Sequence, residues 1–377
     1  MIEFNDYPFE RLNRLLQDIK PNENLKPLSL TIGEPQFETP LFIQEELKKH
    51  THLLNKYAKT SGEDFLKEAM RGFVKRRFDV ELKEDELIPT FGTREVLFNF
   101  PQFFLHGKKD PIMAYTNPFY QIYEGAALAS NAKSLYINLT KENGYKPILD
   151  KKVLKEADLV ILNFPNNPTA STMSIEEYKP WIEAALEFDF VLLNDECYSE
   201  IYQTKQPSLL EASLEMGNEN FKNILVINSI SKRSSAPGLR SGFIAGDKSI
   251  LKEYMRYRTY TGCAVPLPLQ YASAKAWSDE EHVKTNRKKY RKNFQIAKEL
   301  LDIEPPDATF YIWFEVENDI EFTKKLYKEK NLKVIPGSFL SRDDQGKKSV
   351  RIALVYEKEK TKEALERLRD FIKDKKS

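Results

Sequence analysis

Five short segments of this chain set chemically capable side chains in loops that follow apolar, strand-like runs. The richest reads Ile227-Asn228-Ser229-Ile230-Ser231-Lys232-Arg233-Ser234-Ser235-Ala236-Pro237-Gly238-Leu239-Arg240-Ser241-Gly242. A lysine is far more often a solvated surface charge than a reactive group. Lys232 differs because it sits in a Ser/Gly/Pro turn directly after a buried-type run, with Ser229 and Ser231 before it and Arg240 eight residues on. Hydroxyls and an arginine together can clamp a phosphate. A second segment, Phe190-Val191-Leu192-Leu193-Asn194-Asp195-Glu196-Cys197-Tyr198, places Asp195 at the end of a run. A carboxylate there could keep a pyridine nitrogen protonated and so make the ring a stronger electron sink. Tyr198, three residues on, could donate to an oxygen of the same ring.

The other three segments supply complementary parts. In Leu162-Asn163-Phe164-Pro165-Asn166-Asn167-Pro168-Thr169 the two prolines stiffen the loop and fix the Asn167 amide, which suits a hydrogen bond to a phenolate oxygen. Phe91-Gly92-Thr93-Arg94-Glu95 opens a helix, and a Gly–Thr turn at a helix start exposes backbone N–H groups that attract an anion. Asn117-Pro118-Phe119-Tyr120-Gln121-Ile122-Tyr123 offers Tyr120 to stack on a flat heterocycle. Singly, each has a bland reading: a surface lysine, an Asx turn, an N-cap, a packed loop. No one of these readings accounts for all five in strand-end loops.

Strands must present these loops, and the pattern provides them. Short apolar runs at Ile112–Tyr115, Leu159–Leu162, Phe190–Leu193, Ile224–Ile227 and Phe243–Ala245 alternate with helical patterns such as Ser174–Phe188. This predicts an α/β fold with a mixed, mostly parallel sheet sandwiched by helices, whose ligands lie beyond the carboxyl ends of the strands. Thr60 and Glu63 are spaced as a capping box before a helix carrying Phe65, Leu66, Ala69, Met70, Phe73 and Val74. The C-terminal third reads as a smaller α+β unit: a long basic helix (Glu280–Leu301), strand-like Thr309–Phe314, a helix near Glu321–Lys330, strand-like Ser349–Val355 and a last helix from Lys360. The stretch 331–348 is polar enough to be expected as an exposed loop.

Other chemistries lose support. No two glycines stand one residue apart, so the dinucleotide fingerprint is missing, as are a Walker loop, a Gly-x-Ser-x-Gly elbow and His-Glu-x-x-His. The four histidines show no metal-ligand spacing, and no metal is expected. Fifty-eight basic against 57 acidic side chains argue against nucleic acid or an anionic membrane as partner. The start lacks a signal-peptide pattern and two cysteines do not suggest a secreted scaffold, so the cytoplasm is the expected compartment.

Taken together, the Asn166-Asn167-Pro168-Thr169, Asp195-x-x-Tyr198 and Ser229-x-Ser231-Lys232…Arg240 blocks resemble, in order and spacing, those of the fold-type I pyridoxal 5′-phosphate (PLP) enzymes, in the class I/II aminotransferase branch. The similarity runs from Ile32-Gly33-Glu34-Pro35 to Val350-Arg351-Ile352. It implies a large PLP-binding domain (residues 46–275) and a small domain formed by residues 1–45 and 276–377. By this resemblance, Lys232 holds the cofactor covalently and moves the substrate proton. Asp195 pairs with the ring nitrogen, Tyr198 and Asn167 with the ring oxygen, and Tyr120 stacks on the ring. Thr93 and Arg94 (through backbone N–H), Ser229 and Arg240 hold the phosphate, with Ser231 as a lesser contributor. Arg351 binds the substrate α-carboxylate, helped by the Gly33 backbone. In Lys56-Tyr57-Ala58-Lys59-Thr60-Ser61-Gly62, Tyr57 matches the tyrosine that reaches the partner subunit's phosphate, which implies a homodimer with shared sites.

Within the family, Tyr7-Pro8-Phe9-Glu10 and Ser231-Lys232-Arg233-Ser234 are similar to N-succinyldiaminopimelate aminotransferases. The expected reaction is amino exchange between glutamate or 2-oxoglutarate and N-succinyl-LL-2,6-diaminopimelate. An aspartate or broad-range aminotransferase stays open, although Tyr260–Pro266 lacks the arginine that aspartate enzymes of the family often carry there. A PLP lyase on the same scaffold also stays open. A ligand-sensing regulator is the reading from another class, and it would be expected to carry a basic DNA-binding extension.

Overall fold

The computed structural model describes residues 2–374. Its strands, in chain order, are β1 (Leu28–Ser29), β2 (Leu87–Thr90), β3 (Ile112–Asn117), β4 (Lys133–Asn138), β5 (Leu159–Leu162), β6 (Val191–Asp195), β7 (Ile224–Ser229), β8 (Gly242–Gly246), β9 (Tyr311–Glu315), β10 (Leu332–Lys333), β11 (Ile335–Pro336) and β12 (Ser349–Ala353). Seven of them form one sheet in the order β2-β8-β7-β6-β5-β3-β4. Only β8 runs against the rest, pairing antiparallel with both β2 and β7.

Every residue of β5, β6 and β7 is buried, because helices cover both faces of the sheet. Alternation along each strand then feeds two separate cores. Val160, Leu162, Leu192, Ile224 and Val226 face one, which includes Trp181 and Trp277. Leu159, Ile161, Leu193, Leu225 and Ile227 face the other, with Phe100 and Tyr254. The helix at Ile175–Phe188 starts where expected, on a capping box between Ser174 and Glu177. The edge strand β4 has no counterpart in the expected runs. Its residues are mostly half-exposed, so its apolar signal is weak.

Two local expectations are corrected. The helix at Asp64–Phe78 has Glu63, not Thr60, as its N-cap residue, and no side chain caps it. Gly62, in the left-handed region at φ 77°, closes a turn onto Lys59 and separates Thr60 from the helix. Residues 331–348 are not an exposed polar loop. Leu332, Val334 and Ile335 are fully buried there, and the segment carries β10 and β11. Polar residues in the same stretch hide this core contribution. Asn117 at the end of β3 anchors it by accepting from the Arg342 backbone N–H at 2.9 Å.

A second, antiparallel sheet has the order β11-β12-β9, and β1 pairs parallel with β10. Leu28 and Leu30 thereby join a core with Phe294, Leu326, Ile352 and Leu368, so N-terminal residues pack into the C-terminal third. No helix among the described residues is long and apolar enough to cross a membrane.

Candidate active site

The carboxyl ends of β2, β3, β5, β6 and β7 share one edge of the large sheet, where a ligand is expected. A cavity of about 510 Å³ opens there, and Gly33, Thr93, Arg94, Tyr120, Asn167, Asp195, Tyr198, Ser229, Lys232, Arg240 and Arg351 all line it. Ser231 lines it too, so twelve of the thirteen anticipated site residues are together. The thirteenth, Tyr57, does not line this cavity and is fully exposed at the protein surface.

Lys232 follows β7 on a single helical turn, Ile230–Arg233, whose N-cap Ser229 accepts from the Ser231 backbone N–H. Its Nζ donates to the Gly33 carbonyl. Burial lowers the Lys232 ammonium to about 8; Cys197 and Glu34 pull the other way, while Arg351 and Arg94 add to the lowering. A lysine tuned in this way has far more neutral, nucleophilic amine near neutrality than a surface lysine.

Asp195 ends β6 and is buried, which raises its carboxyl above the usual carboxylate range. Hydrogen bonds oppose the rise: the Cys197 backbone N–H donates at 3.2 Å and the Tyr123 hydroxyl at 3.1 Å. Asn163 steadies the same strand end. Its Nδ2 donates to the Asp195 carbonyl at 2.9 Å, and its Oδ1 accepts from the Asn167 backbone N–H at 2.9 Å. Thus one asparagine ties the loop after β5 to the end of β6.

Arg351 lies buried on β12, donating to Asn167 Oδ1 at 2.8 Å and to the Thr31 carbonyl at 2.6 Å. Its Nε is buried with no partner, and no carboxylate pairs with the guanidinium among the described residues. A buried charge left in that state calls for an anion. Arg240, in the left-handed region at φ 51°, is likewise hydrogen-bonded among the described residues to carbonyls alone, those of Pro237 and Phe91. It crowds Gly92, where a Cβ would stand 2.3 Å from the Arg240 guanidinium; Gly92 is also at φ 77°. The helix Thr93–Phe104 therefore begins on a glycine without a side-chain cap, and its first N–H groups stay available. Arg94 differs from expectation in one respect. Its exposed side chain also lines the cavity and donates twice to the Tyr120 hydroxyl, at 2.9 and 2.7 Å.

The donor set fits an anionic, planar pyridine. The helix start, Ser229 and Arg240 could hold a phosphate, Tyr120 could cover the ring, Asp195 could face its nitrogen, and Asn167 and Tyr198 could face its oxygen. Lys232 then lies beside the position left for the carbonyl carbon. Four neighbours went unremarked in the sequence: Asn163, Tyr123, Cys197 and Tyr311. The first three lie inside the segments already singled out. Tyr311, hydrogen-bonded to Tyr198, comes from β9 and had no local signal.

The family model described as aminotransferase class I and II matches residues 26–368. The chain belongs to that family. A solved aminotransferase of Helicobacter pylori 26695, AspB, is 51% identical with a TM-score of 0.96, covering 99% of this chain and 100% of that one. An aminotransferase structure from Neisseria meningitidis Z2491 is 37% identical with a TM-score of 0.93, covering 98% of each chain. The LL-diaminopimelate aminotransferase of Aquifex aeolicus is 30% identical over 98% of this chain and 100% of its own. This aminotransferase uses PLP, amino acids and 2-oxo acids, as its family does.

Proposed function

We propose that this aminotransferase exchanges an amino group between the glutamate/2-oxoglutarate pair and an amino acid that ends in a further acidic group, most specifically N-succinyl-LL-2,6-diaminopimelate, with its 2-oxo counterpart, in lysine and diaminopimelate biosynthesis. The observation that carries the acidic preference is a third guanidinium in the cavity, that of Arg94, beside Arg351 and the Arg240 assigned to the phosphate. Arg351 and Arg94 both lie near enough to Lys232 to disfavour its charge, and neither has an acidic partner among the described residues. Arg351 is buried and fixed, which suits the α-carboxylate beside the reacting carbon. Arg94 is exposed and, among the described residues, hydrogen-bonded only to a phenol, so it can move to meet a distal carboxylate at more than one distance.

PLP, when bound, supplies an electron sink conjugated with the substrate α-carbon. The chain's own residues do the rest. Lys232 moves the proton at that carbon, Asp195 holds the proton on the ring nitrogen, Tyr198 and Asn167 donate to the ring oxygen, and Arg351 orients the substrate.

Because the Aquifex relative is named for LL-diaminopimelate itself, unacylated diaminopimelate is the second reading. Comparing kcat/KM for the succinylated compound, LL-diaminopimelate and aspartate, each with 2-oxoglutarate, separates them. The succinylated donor is expected to lead by about tenfold or more, roughly 1.4 kcal/mol of transition-state discrimination. An aspartate preference of that size would replace the assignment with the aspartate reading. Product analysis showing ammonia or pyruvate instead of glutamate would favour a lyase.

We further propose a cytoplasmic homodimer with shared sites, and a small domain made of residues 1–45 and 276–377. The common core of Leu28, Leu30 and the C-terminal residues supports the domain division. The full exposure of Tyr57, with Leu54 and Tyr260 exposed as well, supports the dimer. Mixing Lys232→Ala protein with a Tyr57→Phe variant should restore activity, because a hybrid dimer contains one site free of both changes. Random exchange predicts about a quarter of wild-type activity, provided the Tyr57 change alone is severe. A fully active monomer at assay concentration contradicts the shared site.

A further inference from the structure

We infer that Tyr311 is a positioning residue of this active site: its hydroxyl directs the Tyr198 proton into the cavity, and its ring seats the Arg351 guanidinium. The inference rests on the reading that Tyr198 serves the cofactor oxygen and Arg351 the substrate carboxylate. Tyr311 is the first residue of β9 and is buried. Strand pairing sets it against Ala353 of β12, while Arg351 pairs with Trp313, so the two site residues share one small sheet.

Three contacts converge on Tyr311. Its Oη lies 2.9 Å from the Tyr198 Oη. The Arg351 guanidinium carbon lies 4.4 Å from its ring centroid. Its hydroxyl also occupies the space beside Gly33, where an added Cβ would come within 1.8 Å of Oη. Gly33 is the residue whose carbonyl accepts from Lys232. One phenol therefore touches the neighbours of both the cofactor oxygen and the substrate carboxylate.

Proton counting gives the hydroxyl a direction. Each phenol has one proton and can accept as well. If Tyr198 donated to Tyr311, it would have none left for a ring oxygen. If Tyr311 donates, Tyr198 accepts from it and keeps its own proton for the cavity, and the two bonds polarise each other. The ring acts separately. Its face attracts the guanidinium, and Phe310 and the Tyr198 ring hold it edge-on at centroid separations of 4.8 and 5.5 Å.

The holoenzyme tests both halves through the pH titration of the bound cofactor's visible absorbance, alongside steady-state kinetics. Tyr311→Phe keeps the ring and removes the hydroxyl, with Arg351 and Lys232 left in place. Weaker donation to the ring oxygen should raise the chromophore pKa by about half a unit or more, with KM for glutamate changed less than about threefold. Tyr311→Leu should give a similar spectral shift and also raise KM for both glutamate and 2-oxoglutarate by about tenfold, because the guanidinium loses its seat. Tyr198→Phe serves as reference and should move the chromophore at least as far. If Tyr198→Phe shifts it and Tyr311→Phe leaves it within about 0.1 unit, the role of Tyr311 is overturned while that of Tyr198 stands. If Tyr198→Phe itself causes no shift, both assignments fall. A tyrosine with only a structural role would lower Tm in both Tyr311 variants without moving the absorbance, and that result also overturns the proposal.

Discussion

Replacing Lys232 with alanine is expected to cut transamination by about 10⁴-fold or more, since in its proposed role one side chain provides both the covalent attachment and the proton transfer. The site is built around that amine. Burial brings it down to about 8, and the Gly33 carbonyl accepts from it. No other lysine among the described residues lines the cavity. Purified wild-type protein should be yellow, and the variant should lack the absorbance of a covalently held cofactor. Stopped-flow mixing with glutamate reads the loss of proton transfer directly. An Lys232→Ala enzyme turning over near the wild-type rate would remove Lys232 from its role.

The second large effect is expected at Asp195. Asp195→Asn should slow proton abstraction by about 10²-fold or more, because a neutral amide no longer favours the proton on the ring nitrogen. The buried carboxylate is costly by itself, as the upward push on its pKa indicates, and a protonated ring facing it would supply the compensating charge. The amide is nearly isosteric: its oxygen can keep accepting from the Cys197 backbone N–H, while its NH2 can donate to the Tyr123 hydroxyl oxygen. Cofactor affinity should change far less than kcat, because the proposed phosphate donors Thr93, Ser229 and Arg240 are untouched. Equilibrium titration with PLP beside a kcat measurement makes the comparison. Unchanged kcat in the variant would end the proposed role.

The sequence alone determines the class of fold and points to most of the side chains that line the candidate site. Apolar runs of three or four residues between amphipathic helices can be buried only in a sheet covered on both sides, and that requirement is local. Loops at the ends of such strands face one edge, so Asp195, Asn167, Ser229 and Lys232 could be grouped before any distance was known. The weak edge strand β4 and the buried segment 331–348 escaped because neither carries a clear apolar period. Tertiary structure decided what no local pattern encodes. Gly33 and Lys232 are 199 positions apart, Arg351 and Asn167 are 184 apart, and Tyr198 and Tyr311 are 113 apart. Those meetings follow from the pairing of β1 with β10 and of β9 with β12, which place N-terminal and C-terminal residues over the strand ends. Strand register and packing between layers choose such partners, and a one-residue slip would turn Arg351 to the opposite face of its sheet.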